Sequence, residues 1–371
     1  IKADLFDADT AYLVVDDHKT GDFSPYLLES NDRGRTWRSI AGDLPERHIV
    51  WRIVQDHVDP ERLFVGTEFG VFFSRNGGER WVKLSGGVPT IPFRDLAVQR
   101  RENDLIGATF GRGLYILDDY SPLRQVSADT LDQEAVLFPV RDAWWYIPRR
   151  TLGSEEKASQ GDAFFTAPNP PFGAVVTYYL RDELKSSRAE RREREEEIEE
   201  QGGDTPYPGW AALREEELAE DPAILLIVRD AEGSVVRRLV GPVTAGFHRV
   251  AWDLRYPLLD PVKPDADSSE MVGFLAAPGT YTVSLAKWQN GVATELGTSQ
   301  TFKVIRMRQG TLSGMSPDER VAFLAGVVAE LDRDVGAAVA AIDEAQVRLQ
   351  SIKRALMRST VADTSLDAEA Q

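Results

Sequence analysis

Along the first 120 positions, short apolar runs alternate with polar residues and break at Gly, Asp or Pro, the mark of half-buried β-strands. They fall at 12–16, 25–30 and 36–40, then at 51–55, 62–67, 70–74 and 80–84, and again at 94–98, 104–109 and 113–117. After Pro122 this rhythm stops, and the aromatic stretch 142–148 leads into a second set of strand signals at 173–180, 223–229, 234–239, 247–254, 279–287 and 300–305. With Asp230-Ala231-Glu232-Gly233 as a hairpin turn, that set describes an antiparallel sandwich of immunoglobulin-like type. Its expected core comprises Val176, Tyr178, Leu225, Ile227, Val236, Val250, Trp252, Tyr281, Val283 and Phe302. The periodicity then changes to that of a helix. From the capping box Ser316-Pro317-Asp318-Glu319 onward, Leu324, Val328, Leu331, Val335, Ala338, Ile342, Ala345, Leu349, Ile352 and Leu356 alternate steps of four and three, a heptad seam. Gly336 offers a break in it, and 363–369 resembles the cap of a further helix, so a helical hairpin and a self-associating coiled coil are both open.

The first strand set is a repeat. Ser30-Asn31-Asp32-Arg33-Gly34-Arg35-Thr36-Trp37 follows the S-x-D-x-G-x-T-W pattern of an Asp-box, and Ser74-Arg75-Asn76-Gly77-Gly78-Glu79-Arg80-Trp81 is a weaker copy forty-four residues on. That separation suits one four-stranded propeller blade. The pattern has a physical basis: Asp32 offers acceptor oxygens to free backbone N–H groups, Gly34 tolerates φ > 0, Thr36 opens the next strand and Trp37 covers the turn. Ser30, Asp32, Gly34, Thr36, Trp37 and their counterparts Ser74, Asn76, Gly78 and Trp81 are therefore read as structural. A third copy, with Gly107-Ala108-Thr109-Phe110-Gly111 echoing Gly66-Thr67-Glu68-Phe69-Gly70, has no box and lacks an outer strand. The fold class expected is mainly β: a partial Asp-box β-propeller, an immunoglobulin-like sandwich and a long C-terminal helix. The regions are drawn as blades at 1–125, a linker at 126–168, the sandwich at 169–306 with a charged helical insertion at 182–221, and a helical region at 307–371. Propellers close with roughly four to eight blades, so the rest of a longer polypeptide, or companion chains, is expected to complete the ring.

Composition narrows the function. The 371 residues include eight Trp and sixteen Phe, enough for more than one core, and the net charge of −17 argues against nucleic acid. No run of eighteen apolar residues predicts a membrane span. Without cysteine there are no disulfides or thiolate metal sites, and His18, His48, His57 and His248 are too scattered for a zinc site. No cofactor and no metal are expected.

The run Asp16-Asp17-His18-Lys19-Thr20-Gly21-Asp22-Phe23-Ser24-Pro25-Tyr26, with Gly66-Thr67-Glu68-Phe69-Gly70-Val71, Thr109-Phe110-Gly111-Arg112-Gly113-Leu114-Tyr115-Ile116-Leu117-Asp118-Asp119, Asn169-Pro170-Pro171-Phe172-Gly173-Ala174, Trp252-Asp253-Leu254-Arg255-Tyr256-Pro257 and Pro278-Gly279-Thr280-Tyr281-Thr282-Val283, resembles large bacterial Asp-box (BNR repeat) proteins of the sortilin-like group, often labelled glycosyl hydrolase-like. The resemblance implies an exported protein, secreted or held in the bacterial periplasm or envelope.

Glycoside hydrolysis needs two carboxyls about 5–10 Å apart. The sequence offers Asp16, Asp17 and Asp22 around His18, with Glu68 and Asp118 at strand ends, and each reads first as a turn cap or solvated loop residue. Arg52, Arg94 and Arg112 recur, and Arg112 between two glycines is open to a ligand. Asp56-His57 beside Asp59 is a proton-transfer pair or a turn. The ligand-binding candidates are Asp17, His18, Asp22, Glu68 and Arg112; no catalytic residue is assigned. The expected function is a non-catalytic recognition or assembly protein whose propeller binds peptide or glycan, with homo-oligomers through the C-terminal helix as a further expectation. The alternative is a sialidase- or xyloglucanase-like glycoside hydrolase whose carboxylates lie mostly in other blades.

Overall fold

The computed structural model describes residues 1–148, 167–257, 272–289, 291–307, 324–358 and 360. The chain forms two compact units, Ile1–Thr130 and Leu131–Gln371, and it is mainly β.

In the first unit β1 (Lys2–Ala3), β2 (Ala11–Asp17), β3 (Asp22–Ser30) and β4 (Arg38–Ser39) make one antiparallel meander, and β5 (Val50–Gln55), β6 (Leu63–Thr67), β7 (Gly70–Ser74) and β8 (Trp81–Lys83) make a second. A third sheet has only β9 (Phe93–Gln99), β10 (Asp104–Thr109) and β11 (Leu114–Leu117). These are propeller-type blades, and the third lacks the outer strand that β4 and β8 supply to the others. The short strand β1 was not expected; it gives the first blade an inner strand ahead of Thr10.

Alternation along β6 shows how the sheets stack, because side chains of successive residues point to opposite faces. Leu63 and Val65 join Tyr12, Leu27, Ile40 and Ile53 in one buried cluster with the first blade. Phe64 points the other way, into a cluster with Phe93, Leu96, Leu105 and Tyr120 of the third. All five residues of β6 are buried for this reason. Close approach of the sheets explains Gly66, where a Cβ would sit 2.6 Å from the Phe93 carbonyl oxygen.

The turn of 3₁₀-helix at Ser121–Gln125 follows β11 and is tied down by a buried carboxylate. Asp56, wholly buried, accepts from Arg124 at 2.5 and 2.7 Å and from the Tyr120 hydroxyl at 2.8 Å. Burial pushes the Asp56 carboxyl up, and these bonds more than offset it, holding it below its ordinary value. Arg62 and Arg75 donate to the carbonyls of Arg124 and Val126, and Tyr120 packs edge-on against Phe64.

The second unit is the sandwich. One sheet has the order β12 (Ala135–Leu137), β14 (Ala174–Leu180), β17 (Gly246–Trp252); the other runs β13 (Ala143–Trp145), β21 (Val292–Arg306), β20 (Gly279–Gln289), β15 (Ala223–Arg229), β16 (Val235–Gly241), with β18 (Arg255–Pro257) and β19 (Val272–Leu275) as a separate ribbon. The segment read as a linker thus contributes two strands, and Phe138 within it is fully buried. Trp252, Tyr281 and Phe302 meet edge-on or stacked in the core, with ring centroids 5.0–6.2 Å apart. In β15 the buried residues are Ile224, Leu226 and Val228, so the expected core positions Leu225 and Ile227 are one residue out of phase.

The insertion forms two helices, α1 (Ser187–Glu200) and α2 (Trp210–Leu218). Arg191 joins them through Glu216 at 2.8 Å and is held within α1 by Glu195 at 2.7 Å. The motif Pro206-Tyr207-Pro208-Gly209-Trp210 leaves Trp210 81% exposed. A π-helical turn at Leu324–Val328 leads into α3 (Ala329–Arg358), which runs through Gly336 without a break. The capping box at 316–319 and the cap at 363–369 lie outside the described residues.

Removing one member of a buried ion pair strands its partner, at a cost of about 3–5 kcal/mol. Asp56→Ala is therefore expected to destabilise the first unit by roughly that amount, and Tyr120→Phe by about 1 kcal/mol. Hydrogen exchange of the β5 and β6 amides measures both; unchanged protection in Asp56→Ala would show that the network carries no stability.

Candidate functional site

The turns β2–β3, β6–β7 and β10–β11 come together at one end of the blades. Across them runs a ladder of rings and charges centred on Trp51 at the start of β5. The His18 ring meets the Trp51 indole edge-on at 5.9 Å, and the Arg94 guanidinium lies over that indole at 3.5 Å from its centroid. Phe110, 70% exposed at the β10–β11 turn, lies 5.4 Å from Arg94 on its own ring face. Guanidinium groups favour aromatic faces in this way. Glu68, from the β6–β7 turn, accepts the Trp51 indole N–H at 2.9 Å and lies 3.9 Å from Arg94. Each blade provides one side of the ladder.

Local structure explains the placement of each group. Gly21, at φ +91°, ends the 3₁₀ turn His18–Thr20 and reverses the chain into β3. The His18 ring is held by Asp16, Nδ1 to Oδ1 2.5 Å, while its backbone N–H donates to the same oxygen at 3.1 Å. Partial burial raises the Asp16 carboxyl, and the His18 bonds with the nearby Arg94 charge bring it below its ordinary value. At β10–β11, Thr109 donates from both its N–H and Oγ1 to the Gly113 carbonyl, at 3.0 and 2.8 Å. This presents Phe110 and Arg112 at the tip, both exposed.

Of the five binding candidates, His18 and Glu68 share the ladder. Asp22 is engaged as a turn cap, accepting from the Tyr26 hydroxyl at 2.5 Å and the Ser24 N–H at 2.9 Å. Asp17 is exposed at the end of β2, its carbonyl bonded by Thr20 Oγ1. Arg112 is exposed beside Phe110, and Arg52 pairs instead with Asp95 at 2.8 Å. Asp118 follows the far end of β11 from Glu68, and Asp56 is committed to Arg124, so Asp56-His57 is a structural corner. Burial lowers the His57 ring below its ordinary value. The ladder's two central members, Trp51 and Arg94, carry no motif in the sequence; their neighbours are set by sheet stacking.

The boxes lie at the other ends of the same strands. Asp22 begins β3 and Ser30 ends it, ~27 Å apart at the usual rise. Ser30 Oγ donates to Asp32 at 2.8 Å and accepts from Gly34 N–H at 2.8 Å; Asp32 also accepts from the N–H groups of Arg35 and Thr36, both at 2.9 Å, and from Thr36 Oγ1 at 2.7 Å. The Trp37 indole N–H donates back to Gly34 at 3.2 Å. In the second turn Asn76 accepts from Ser74 and Arg80, each at 3.0 Å, and the buried Trp81 indole donates both to Gly78 and, across to the first blade, to Ile40, each at 3.1 Å. Gly78, at φ +93°, leaves no room for a side chain, since a Cβ would come 2.7 Å from the Ile40 oxygen.

No protein-family model matches the sequence, and no curated protein does. Solved structures that it resembles include PorZ, an essential bacterial surface component of the type-IX secretion system of Porphyromonas gingivalis, at 15% identity and a TM-score of 0.26, covering 80% of this chain and 37% of PorZ. An ancestral GH74 enzyme matches at 13% identity and a TM-score of 0.26, over 78% of this chain and 34% of its own. The GH74 xyloglucanase of Xanthomonas campestris matches at 13% and 0.24, over 78% and 37%. The chain spans about a third of the length of these proteins. The β-propeller-like class rests on the blade topology described above. Among the described residues, no helix is long and apolar enough to cross a membrane, and no cluster of three His, Asp or Glu is arranged to hold a metal ion.

The Thr36 N–H and hydroxyl, with Ser30 and Arg35, hold the Asp32 carboxyl down to about 2. A depressed carboxylate stabilises the fold above its ordinary value near 4 and loses that contribution as pH falls through the folded value. Asp32→Asn should therefore melt below wild type at neutral pH, with the gap narrowing between about pH 4 and pH 2. A gap that is constant with pH would show that charge at Asp32 does not matter.

Proposed function

We propose that this chain belongs to an exported recognition or assembly protein of the sortilin-like Asp-box type, and that its blades bind a peptide or glycan on the face that carries Trp51. The observation behind this reading is the ladder of His18, Trp51, Glu68, Arg94 and Phe110, drawn from three blades. Aromatic faces offer stacking area at little entropic cost, and the charged groups between them give polar contacts that fix a ligand's orientation. The order of hydrogen bonds in the 30–37 and 74–81 turns supports the Asp-box reading and leaves those residues a structural role. The domain limits at 125 and 306, and a location in the envelope or outside the cell, are part of the same proposal.

Binding is tested with xyloglucan oligosaccharides and an immobilised random peptide library, followed by Trp fluorescence and calorimetry. Phe110→Ala and Arg94→Ala should weaken any ligand found by about tenfold or more, as truncation of central interface anchors does, while the melting temperature of Phe110→Ala stays at the wild-type value. A ligand whose affinity is the same for both variants binds elsewhere and overturns the assignment. Release of reducing ends from the oligosaccharides would support the hydrolase alternative instead.

A further inference from the structure

The helix α3 carries its apolar seam uncovered. Leu331, Val335, Ile342, Leu349 and Ile352 are 42–64% exposed. A helix of thirty residues, ~45 Å long, gains most of its stability in water from packing such a stripe. The identity of the partner can be read from size and charge along the seam.

We propose that α3 pairs with α3 of a second copy of this chain, side by side and antiparallel. Two helices overlapped over their full length about a two-fold axis place Leu331 opposite the partner's Leu356, Val335 opposite the partner's Ile352, Ala338 opposite the partner's Leu349 and Ile342 opposite the partner's Ala345. Both seam alanines thereby meet a large residue, so the layers alternate in size and fill without voids. The flanking charges are polarised. Glu330, Asp332 and Asp334 outnumber Arg333 in the first two turns, whereas Arg348, Lys353, Arg354 and Arg358 lie in the last three. Antiparallel pairing sets the acidic end of each helix against the basic end of the other, with Asp332 flanking the seam where the partner's Lys353 flanks it. Parallel pairing would instead put Arg348 beside the partner's Lys353, a like-charge contact. The contact is self-complementary, as a two-fold interface requires.

The sequence has no cysteine, so engineered pairs report cleanly. Val335→Cys and Ile352→Cys chains, oxidised separately, should remain uncrosslinked and should form a crosslinked dimer when mixed. Sedimentation velocity on the full chain should show a concentration-dependent dimer. Asp332→Lys and Lys353→Asp should each weaken it about tenfold, since both copies of the flanking pair become repulsive, and the double variant should recover it. A chain that stays monomeric up to ~100 µM, far above the affinity a specific interface needs, overturns the proposal. So does crosslinking of either single-cysteine chain with itself, which marks a parallel pair, or failure of the double charge reversal to restore the dimer.

Discussion

The buried carboxylate of Asp56 is the constraint on which the first unit depends. The third blade lacks an outer strand to pair with the chain that leaves β11, and within the blade that chain is held at its start, by the Asp119 N–H on Asp104 and the Tyr120 N–H on the Asn103 carbonyl. Asp56 supplies the missing restraint from the second blade, gripping Arg124 and Tyr120 together, while Arg62 and Arg75 hold the carbonyls on either side. A lone carboxylate in that position would be costly to bury, and the bidentate guanidinium and the phenol make it tolerable. Tyr120 serves twice, since its ring also closes the apolar cluster around Phe64 and Phe93.

That corner also fixes what the opposite end can do. With the blades stacked through β6, where one face packs on the first sheet and the other on the third, the turns at the Trp51 end are brought within side-chain reach of one another. Paired strands hold the ladder, and the turns at their ends carry His18, Glu68 and Phe110. A surface built from three sheets in this way owes its geometry to packing rather than to any one loop.

This explains why fold and site were legible to different degrees. The 30–37 turn could be read residue by residue, because Ser30, Asp32, Gly34 and Thr36 bond one another within seven positions and their roles follow from local geometry. Strands with polar alternation were located well. In β15 the run Ala223-Ile224-Leu225-Leu226-Ile227-Val228 has no polar residue to set the phase, so the inward positions were misjudged by one. The two strands within 126–168 were missed because three-residue strands leave no periodicity; their pairing with β14 and β21 is a long-range fact. His18 and Glu68 stood out by residue type and Arg94 as one of the recurring arginines, while Trp51, which brings them together, looks like an ordinary strand residue until the sheets are stacked.

The parallel pairing of β13 with β21 carries a further consequence. Ala143 lies beside Val304, and Asp142 accepts from the Lys303 N–H at 2.9 Å, across a sequence separation of 161 residues. Contacts this distant along a chain slow folding, since the intervening loop must be closed before any of them forms. During synthesis the edge of β13 leaves the ribosome long before its neighbour exists. The sandwich must therefore wait, incomplete on that side, until its last strand has emerged, and the time of that wait is set by translation rather than by the stability of the finished domain.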